Sequence, residues 1–239
     1  MGEKPVISII IPAYNEEKYV NECLSSVFNQ KCNSPFEVIV VDNNSHDKTS
    51  EIASVWKEVK LIKELRPGAT VTRNTGAKAS QSEILYFLDA DCRLFPNALQ
   101  KIINAFEDDH ACQLLSGPYI YDRDGFFPKL ATDTLHYFSL FHLIVKLCFG
   151  VSQFPGGNFA IRKELFNKVG GFDETICNQE IILPDDLDLA IRIQKHLIKD
   201  LIFSREFAVY SSFRRVKRSP IKDTLVRFFA TLDMLSKRK

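Results

Sequence analysis

Apolar residues follow two rhythms along this chain. Val6-Ile-Ser-Ile-Ile-Ile11 is a nearly unbroken apolar run that predicts a buried strand, stopped by Pro12. From Glu16 to Phe28 the spacing changes: Tyr19, Val20, Leu24, Val27 and Phe28 recur at helical intervals and predict an amphipathic helix. The alternation then repeats. Phe36–Val41 reads as a strand, Lys48–Trp56 as a helix, Val59–Ile62 as a short strand, Thr70–Ala79 as a helix and Ile84–Leu88 as a further buried strand. Pro96 stands at a favoured first-turn position for a helix running to Glu107. Strands alternating with helices predict an α/β fold: a mainly parallel central sheet flanked by helices on both faces. Ligands of such sheets bind beyond the carboxyl ends of the strands.

Past about residue 114 the rhythm loosens. Leu114–Tyr121 reads as a strand, Thr132–Phe149 as an apolar helix, Asn158–Ile161 as a short strand, Asp185–His196 as a helix and Leu201–Tyr210 as a hairpin-like pair of runs. No internal repeat or low-complexity linker breaks the chain, so residues 1–211 read as one domain with a tail at 212–239. That tail combines Arg214-Arg-Val-Lys-Arg218 with apolar Leu225, Phe228, Phe229, Leu232 and Leu235. It reads either as a solvated closing helix or as a basic amphipathic helix lying on anionic lipid.

Composition narrows the class. With 45% hydrophobic and 26% charged residues, the chain is an ordinary folded protein rather than a disordered or collagen-like one. A formal charge of +1 points to no nucleic-acid partner. The six cysteines (Cys23, Cys32, Cys92, Cys112, Cys148, Cys177) contain no C-x-x-C pair and read as reduced thiols of a cytoplasmic protein. Met1–Pro5 shows no secretory signal, and Leu135–Phe154 is too interrupted by His136, His142, Lys146 and Gln153 to span a membrane well, though it can read as an interfacial helix. The expected location is the cytoplasm, with peripheral attachment at the inner face of the membrane if the tail binds lipid.

Candidate chemistry gathers at the predicted strand ends. Asp89-Ala-Asp91 leaves a buried strand, and two carboxylates so spaced can converge on one hard cation shared with diphosphate oxygens, or can cap the next helix. Asp42 ends another strand and can accept the imide N–H of a uracil-like base or a ribose hydroxyl, or form an Asx-turn. Arg73 can stack on a base or contact ribose and phosphate, or remain a solvated helix arginine. Asp185-Asp186-Leu-Asp188 opens a helix. Capping accounts for one of these carboxylates, and crowded like charges strengthen the proton affinity of at least one, as a general base requires.

These segments together resemble the family 2 glycosyltransferases, whose fold is called GT-A. The resemblance is carried by Ser8-Ile-Ile-Ile-Pro12-Ala-Tyr14-Asn15-Glu16, Val40-Val-Asp42-Asn-Asn44-Ser45, Gly68 through Arg73-Asn74-Thr-Gly76 and Phe87-Leu-Asp89-Ala-Asp91. It continues through Gly156-Gly157-Asn158, Gly170-Gly-Phe172-Asp173-Glu174 and Asp185-Asp186-Leu-Asp188-Leu-Ala-Ile-Arg192. The resemblance implies a Rossmann-like nucleotide-sugar-binding half over 1–112 and an acceptor half over 113–211. It assigns Pro12, Ala13, Tyr14, Glu16, Asp42, Asn44, Arg73 and Asp89 to the nucleotide. Gly157 and Asn158 match the wall where donor sugar meets acceptor. Asp91, with Asp89, matches the site of Mn2+ or Mg2+. Asp186 matches the catalytic base of an acidic pair in which Asp185 replaces the commoner Glu. The implied reaction is inverting transfer from a nucleotide sugar, UDP-sugar favoured, to a hydroxyl of a glycan or lipid-linked acceptor, as in cell-envelope polysaccharide synthesis.

The chain departs from that pattern after Val209-Tyr210. Many relatives place a metal-binding His there, whereas Ser211-Ser212-Phe213-Arg214-Arg215 follows here, with the two arginines expected on phosphate. A phosphatase of the haloacid dehalogenase type would carry Thr or Val where Arg93 stands, and no G-x-G-x-x-G follows the first strand for a dinucleotide. The non-enzymatic alternative is a catalytically inactive GT-A-like scaffold that binds nucleotide sugars.

Overall fold

The computed structural model describes residues 3–121, 146–147, 150–152, 154–176 and 185–212. The expected helix over 132–149 falls outside these residues except for Lys146 and Leu147, and the tail falls outside them from 213 onward.

The first half follows the alternation of its apolar runs. β1 (Ile7–Ala13), α1 (Val20–Phe28), β2 (Phe36–Asp42), α2 (Thr49–Ser54), β3 (Val59–Lys63), α3 (Ala69–Ala79) and β4 (Ile84–Leu88) succeed one another. β5 (Cys92–Leu94), α4 (Ala98–Asp108), β6 (Leu114–Ser116) and β7 (Tyr119–Tyr121) come next. β8 (Asn158–Arg162), α5 (Lys163–Lys168), α6 (Asp185–Gln194), β9 (Ile202–Phe203) and β10 (Val209–Ser211) complete the described elements.

Seven strands form one sheet in the order β3-β2-β1-β4-β8-β6-β9. It is parallel except at β8, which runs antiparallel to both β4 and β6. The strand order reverses between β1 and β4, the topological switch point at which doubly wound sheets bind ligands. Side chains alternate across the sheet. Ile7, Ile9 and Ile11 join one core with α1 and α4, while Ile10, Leu85 and Phe87 join a second core with α5 and α6.

Four expectations are corrected. β1 does not stop at Pro12 but continues to Ala13. Pairing with β4 ends at Ile10, and Ala13 O faces the β2 side, where it accepts from Asn43 N, so Pro12 faces an unpaired stretch and its missing N–H breaks no ladder bond. The helix after Pro96 starts only at Ala98, because Asn97 precedes it in the left-handed conformation (φ 62°). Leu114–Tyr121 is two strands, β6 and β7, divided at Gly117-Pro118 and belonging to different sheets. Leu201–Tyr210 is no hairpin: β9 pairs with β6 in the large sheet, whereas β10 joins β5 and β7 in a three-stranded sheet. Cys23, Cys32, Cys92 and Cys112 are free thiols. No helix among the described residues is long and apolar enough to cross a membrane.

Candidate active site

Asp42 is the last residue of β2, in register with Ala13 at the end of β1. Its Oδ1 accepts from Ser45 N (3.2 Å) in the Asx-type turn expected of it. Its Oδ2 is buried and has no hydrogen-bond partner among the described residues. A buried carboxylate oxygen without a donor is costly, so this atom fits a ligand N–H or O–H. The loops after β1 and β2 are fastened together: Asn15 N donates to Ser45 Oγ (3.0 Å) and His46 N to Asn15 Oδ1 (2.9 Å). Asn15 and Asn44 both adopt positive φ (55° and 57°), the left-handed turn conformation that asparagine tolerates. Tyr14 on the first loop is 54% exposed and makes a T-shaped contact with His46, the ring centroids 6.5 Å apart. Glu16 is buried and its backbone opens α1, its N–H donating to Thr49 Oγ1 (2.7 Å). Asn43, which the sequence reading passed over, ties down the loop before α3 by accepting from Gly68 N and donating to Glu64 O and Arg66 O.

Asp89 follows β4 directly. The antiparallel register Leu88↔Asn158 brings Gly157 opposite it, and Asp89 N donates to Gly157 O (3.0 Å). Gly157 N in turn donates to Tyr119 Oη (3.1 Å), whose phenol is held well above its ordinary pKa by burial and by the charge of Asp89. Asp91 lies between the two sheets. Ser212, immediately after β10, donates from its hydroxyl to Asp91 Oδ2 (2.6 Å) and from its backbone N–H to Asp91 O. Both carboxylates are 8% exposed. Among the described residues no group of three His, Cys, Asp or Glu side chains could hold a metal. Asp89, Asp91 and the Ser212 hydroxyl offer only oxygen donors, a chemistry that would fit a hard cation drawing its remaining ligands from diphosphate and water.

Asn158 is 1% exposed and its side-chain amide is bonded inside the protein: Oδ1 accepts from Tyr86 Oη, and Nδ2 donates to Gly117 O and Phe207 O. It joins the large sheet to the segment before β10.

Arg73 is not a solvated helix arginine but is buried between two carboxylates. It is 6% exposed. Its Nη2 donates to Asp89 Oδ1 (3.0 Å) and its Nη1 to Asp185 Oδ2 (2.8 Å). Burial alone lowers its pKa, but Asp185 and Asp89 more than offset this and raise it, so the guanidinium is firmly charged. Asp186 sits beside it, with Oδ1 accepting from Leu187 N (2.9 Å). A Cβ on Gly156 would lie 3.3 Å from Asp186 Cβ and 3.8 Å from Arg73 Nη2. Gly156-Gly157 thus packs with one glycine on the acid pair and the other on Asp89. Asp188 is different: at 1% exposure it pairs with Arg192 (2.7 Å) one turn along α6.

The family model for glycosyl transferase family 2 matches residues 8–170. The chain belongs to this family. Among curated relatives, it is 27% identical over 214 residues to the probable glycosyltransferase YdaM of Bacillus subtilis, covering 81% of this chain and 47% of that protein. Among solved structures, S. aureus TarS 1-349 in complex with UDP superposes with a TM-score of 0.65 at 22% identity, over 87% of this chain and 60% of that one. The mannosyltransferase PcManGT from Pyrobaculum calidifontis, in complex with GDP-Man and Mn2+, gives 0.64 at 22% identity, over 87% and 57%. The fold is therefore GT-A. The chain spans about half the length of YdaM and less than two thirds of both structural neighbours.

Proposed function

We propose that this chain transfers a sugar, with inversion, from a nucleoside-diphosphate sugar to an acceptor hydroxyl. The observation that carries the reading is Arg73, whose one buried guanidinium binds both Asp89, at the strand end where a donor would lie, and Asp185 of the acid pair. Such a bridge would keep a nucleotide-side and a base-side carboxylate close together beside the switch point of the sheet. Asp42 Oδ2, Tyr14 and the loop at Asn44 would receive the base and ribose. Uracil fits, because its imide N–H supplies the donor that Asp42 Oδ2 lacks, and the UDP and UDP-sugar complexes of TarS support a UDP-sugar.

Asp89 and Asp91 would hold Mn2+ or Mg2+, which supplies charge neutralisation for the departing diphosphate. Asp186 would take the proton of the acceptor hydroxyl as its oxygen bonds to the anomeric carbon and the bond from that carbon to the diphosphate breaks. The acceptor would be a hydroxyl of a glycan or lipid-linked saccharide, and the basic and apolar residues over 214–235 would suit peripheral attachment at the inner face of the membrane. The test is a panel of UDP-, GDP- and dTDP-sugars with Mn2+ or Mg2+, read by nucleotide release. Turnover of one donor is expected. Tight UDP binding without turnover across the panel and a range of glycan acceptors would instead identify an inactive binding protein.

A further inference from the structure

Arg73 and its neighbour Asn74 on α3 grip different parts of the site. Asn74 is 8% exposed and pairs with the backbone of Phe172 as an adjacent strand would. Its Nδ2 donates to Phe172 O (2.9 Å) and its Oδ1 accepts from Phe172 N (3.0 Å). From the other side, Arg192 on α6 holds the same turn, its Nη1 donating to Val169 O (2.7 Å) and Gly171 O (2.6 Å) while its Nε donates to buried Asp188. Gly170 and Gly171 adopt φ of 81° and 70°, and a Cβ on Gly171 would come within 2.8 Å of Asn74 Oδ1. The Phe172 ring, 2% exposed, packs against the guanidinium of Arg73 at 5.3 Å.

The turn at 169–172 is thus fastened to α3 by Asn74 and to α6 by Arg192, and its aromatic ring supports the arginine that holds Asp185. We propose that Asn74 is a positioning residue for the transfer: through Phe172 it sets where α6 presents Asp185 and Asp186 to Asp89. The inference rests on the function proposed above and extends it to a residue outside the nucleotide and metal sites. A purely structural Asn74 would affect stability alone.

Two variants of the full chain test it. Asn74→Asp is isosteric and replaces the donor facing Phe172 O by an acceptor, while Asn74→Ser shortens the side chain; either suffices if the other fails to fold. Hydrogen–deuterium exchange is followed over 185–194 and, as control, over 36–42. Expected is several-fold faster exchange at the start of α6 with β2 unchanged. UDP release per folded molecule, from the UDP-sugar that the wild type uses, should fall tenfold or more. The donor KM and the Kd of UDP should stay within twofold, and the acid limb of the kcat–pH profile should move. Unchanged exchange at α6 in a folded variant overturns the proposal whatever the activity, as does a loosened α6 with full kcat. If the wild type turns over no nucleotide sugar, the functional reading fails, and the exchange measurement alone decides whether Asn74 places α6.

Discussion

The backbone of Gly157 lies directly against the carboxylate of Asp89, and a Cβ there would overlap its carboxyl carbon and both oxygens. Asp89 cannot retreat without releasing Arg73, to which it is bonded at 3.0 Å. Glycine is therefore required for close approach, not for backbone conformation, and it lets the strand end, the arginine and the acid pair occupy one layer. Gly157→Ala should displace Asp89, destabilise the fold by about 1–3 kcal/mol through overpacking, and weaken nucleotide binding. Thermal unfolding and UDP titration check both effects, and an alanine variant with wild-type UDP affinity would remove Asp89 from the donor site.

Asp42 is the carboxylate whose second oxygen lacks a partner among the described residues. Asp42→Asn can keep the bond from Ser45 N while placing an amide where an acceptor stood. The expected loss of UDP affinity is about 1–3 kcal/mol, the cost of leaving a buried polar group unmatched. Calorimetry on the folded variant measures it, and equal affinity would leave Asp42 a turn residue only.

How far the sequence made all this legible depends on the range of the interaction. β1, β2 and β4 were readable because each is a short apolar run whose residues are buried on both faces, a local pattern. Asp42, Asp89 and Asp91 were readable as candidates because strand ends in a parallel sheet share one edge. The division of Leu114–Tyr121 was not, since Gly117 packs against the backbone of Phe207, a contact ninety residues along the chain. Arg73 showed no helix-local sign of being buried, because the carboxylate that charges its far side, Asp185, is also distant in sequence. The burial of Asn158 was not legible either, because Tyr86, Gly117 and Phe207, which together use its whole side-chain amide, are forty residues or more away in sequence.

The metal dependence proposed above rests on Asp91, which Ser212 orients through a 2.6 Å hydrogen bond. Asp91→Asn preserves shape and removes the charge that a hard cation requires. The variant should lose turnover and the Mn2+-dependent part of UDP binding, and EDTA should do the same to the wild type. Undiminished activity in EDTA would show that the chain works without a cation.

Acid stability has a separate origin at Glu64. Hydrogen bonds from Arg66 and Thr75 hold its pKa down at about 2, against an ordinary value of 4.5. A depressed folded-state value means that the stabilisation is complete above about 4.5 and is lost as pH falls through about 2. Glu64→Gln should therefore lower the urea midpoint at pH 7, and the gap to wild type should narrow steadily below pH 4.5. A gap that is constant with pH would assign the effect to packing rather than charge.

Asp186 and Asp188 sit two residues apart on α6 and should respond to substitution in opposite ways. Asp188 is buried against Arg192, which also bonds Val169 O and Gly171 O, so Asp188→Asn should cost roughly 3 kcal/mol of stability, at the low end for a broken buried pair because Arg192 reaches solvent. Its kcat per folded molecule should fall far less than in Asp186→Asn, because the bonds from Arg192 to Val169 O and Gly171 O remain available. Asp186 packs against Gly156 beside Arg73 and is half-buried, outside the core. Asp186→Asn keeps the shape and removes the proposed base, so UDP binding should persist while transfer falls by about 10²–10⁴-fold. Asp185→Asn should act differently again, weakening the 2.8 Å bond to Arg73 and disturbing Asp89 through it, so that donor affinity and rate fall together. Steady-state kinetics with UDP titration separates the three. Loss of transfer confined to Asp185→Asn would move the base by one residue, and full activity in both acid-pair variants would make this end of α6 structural.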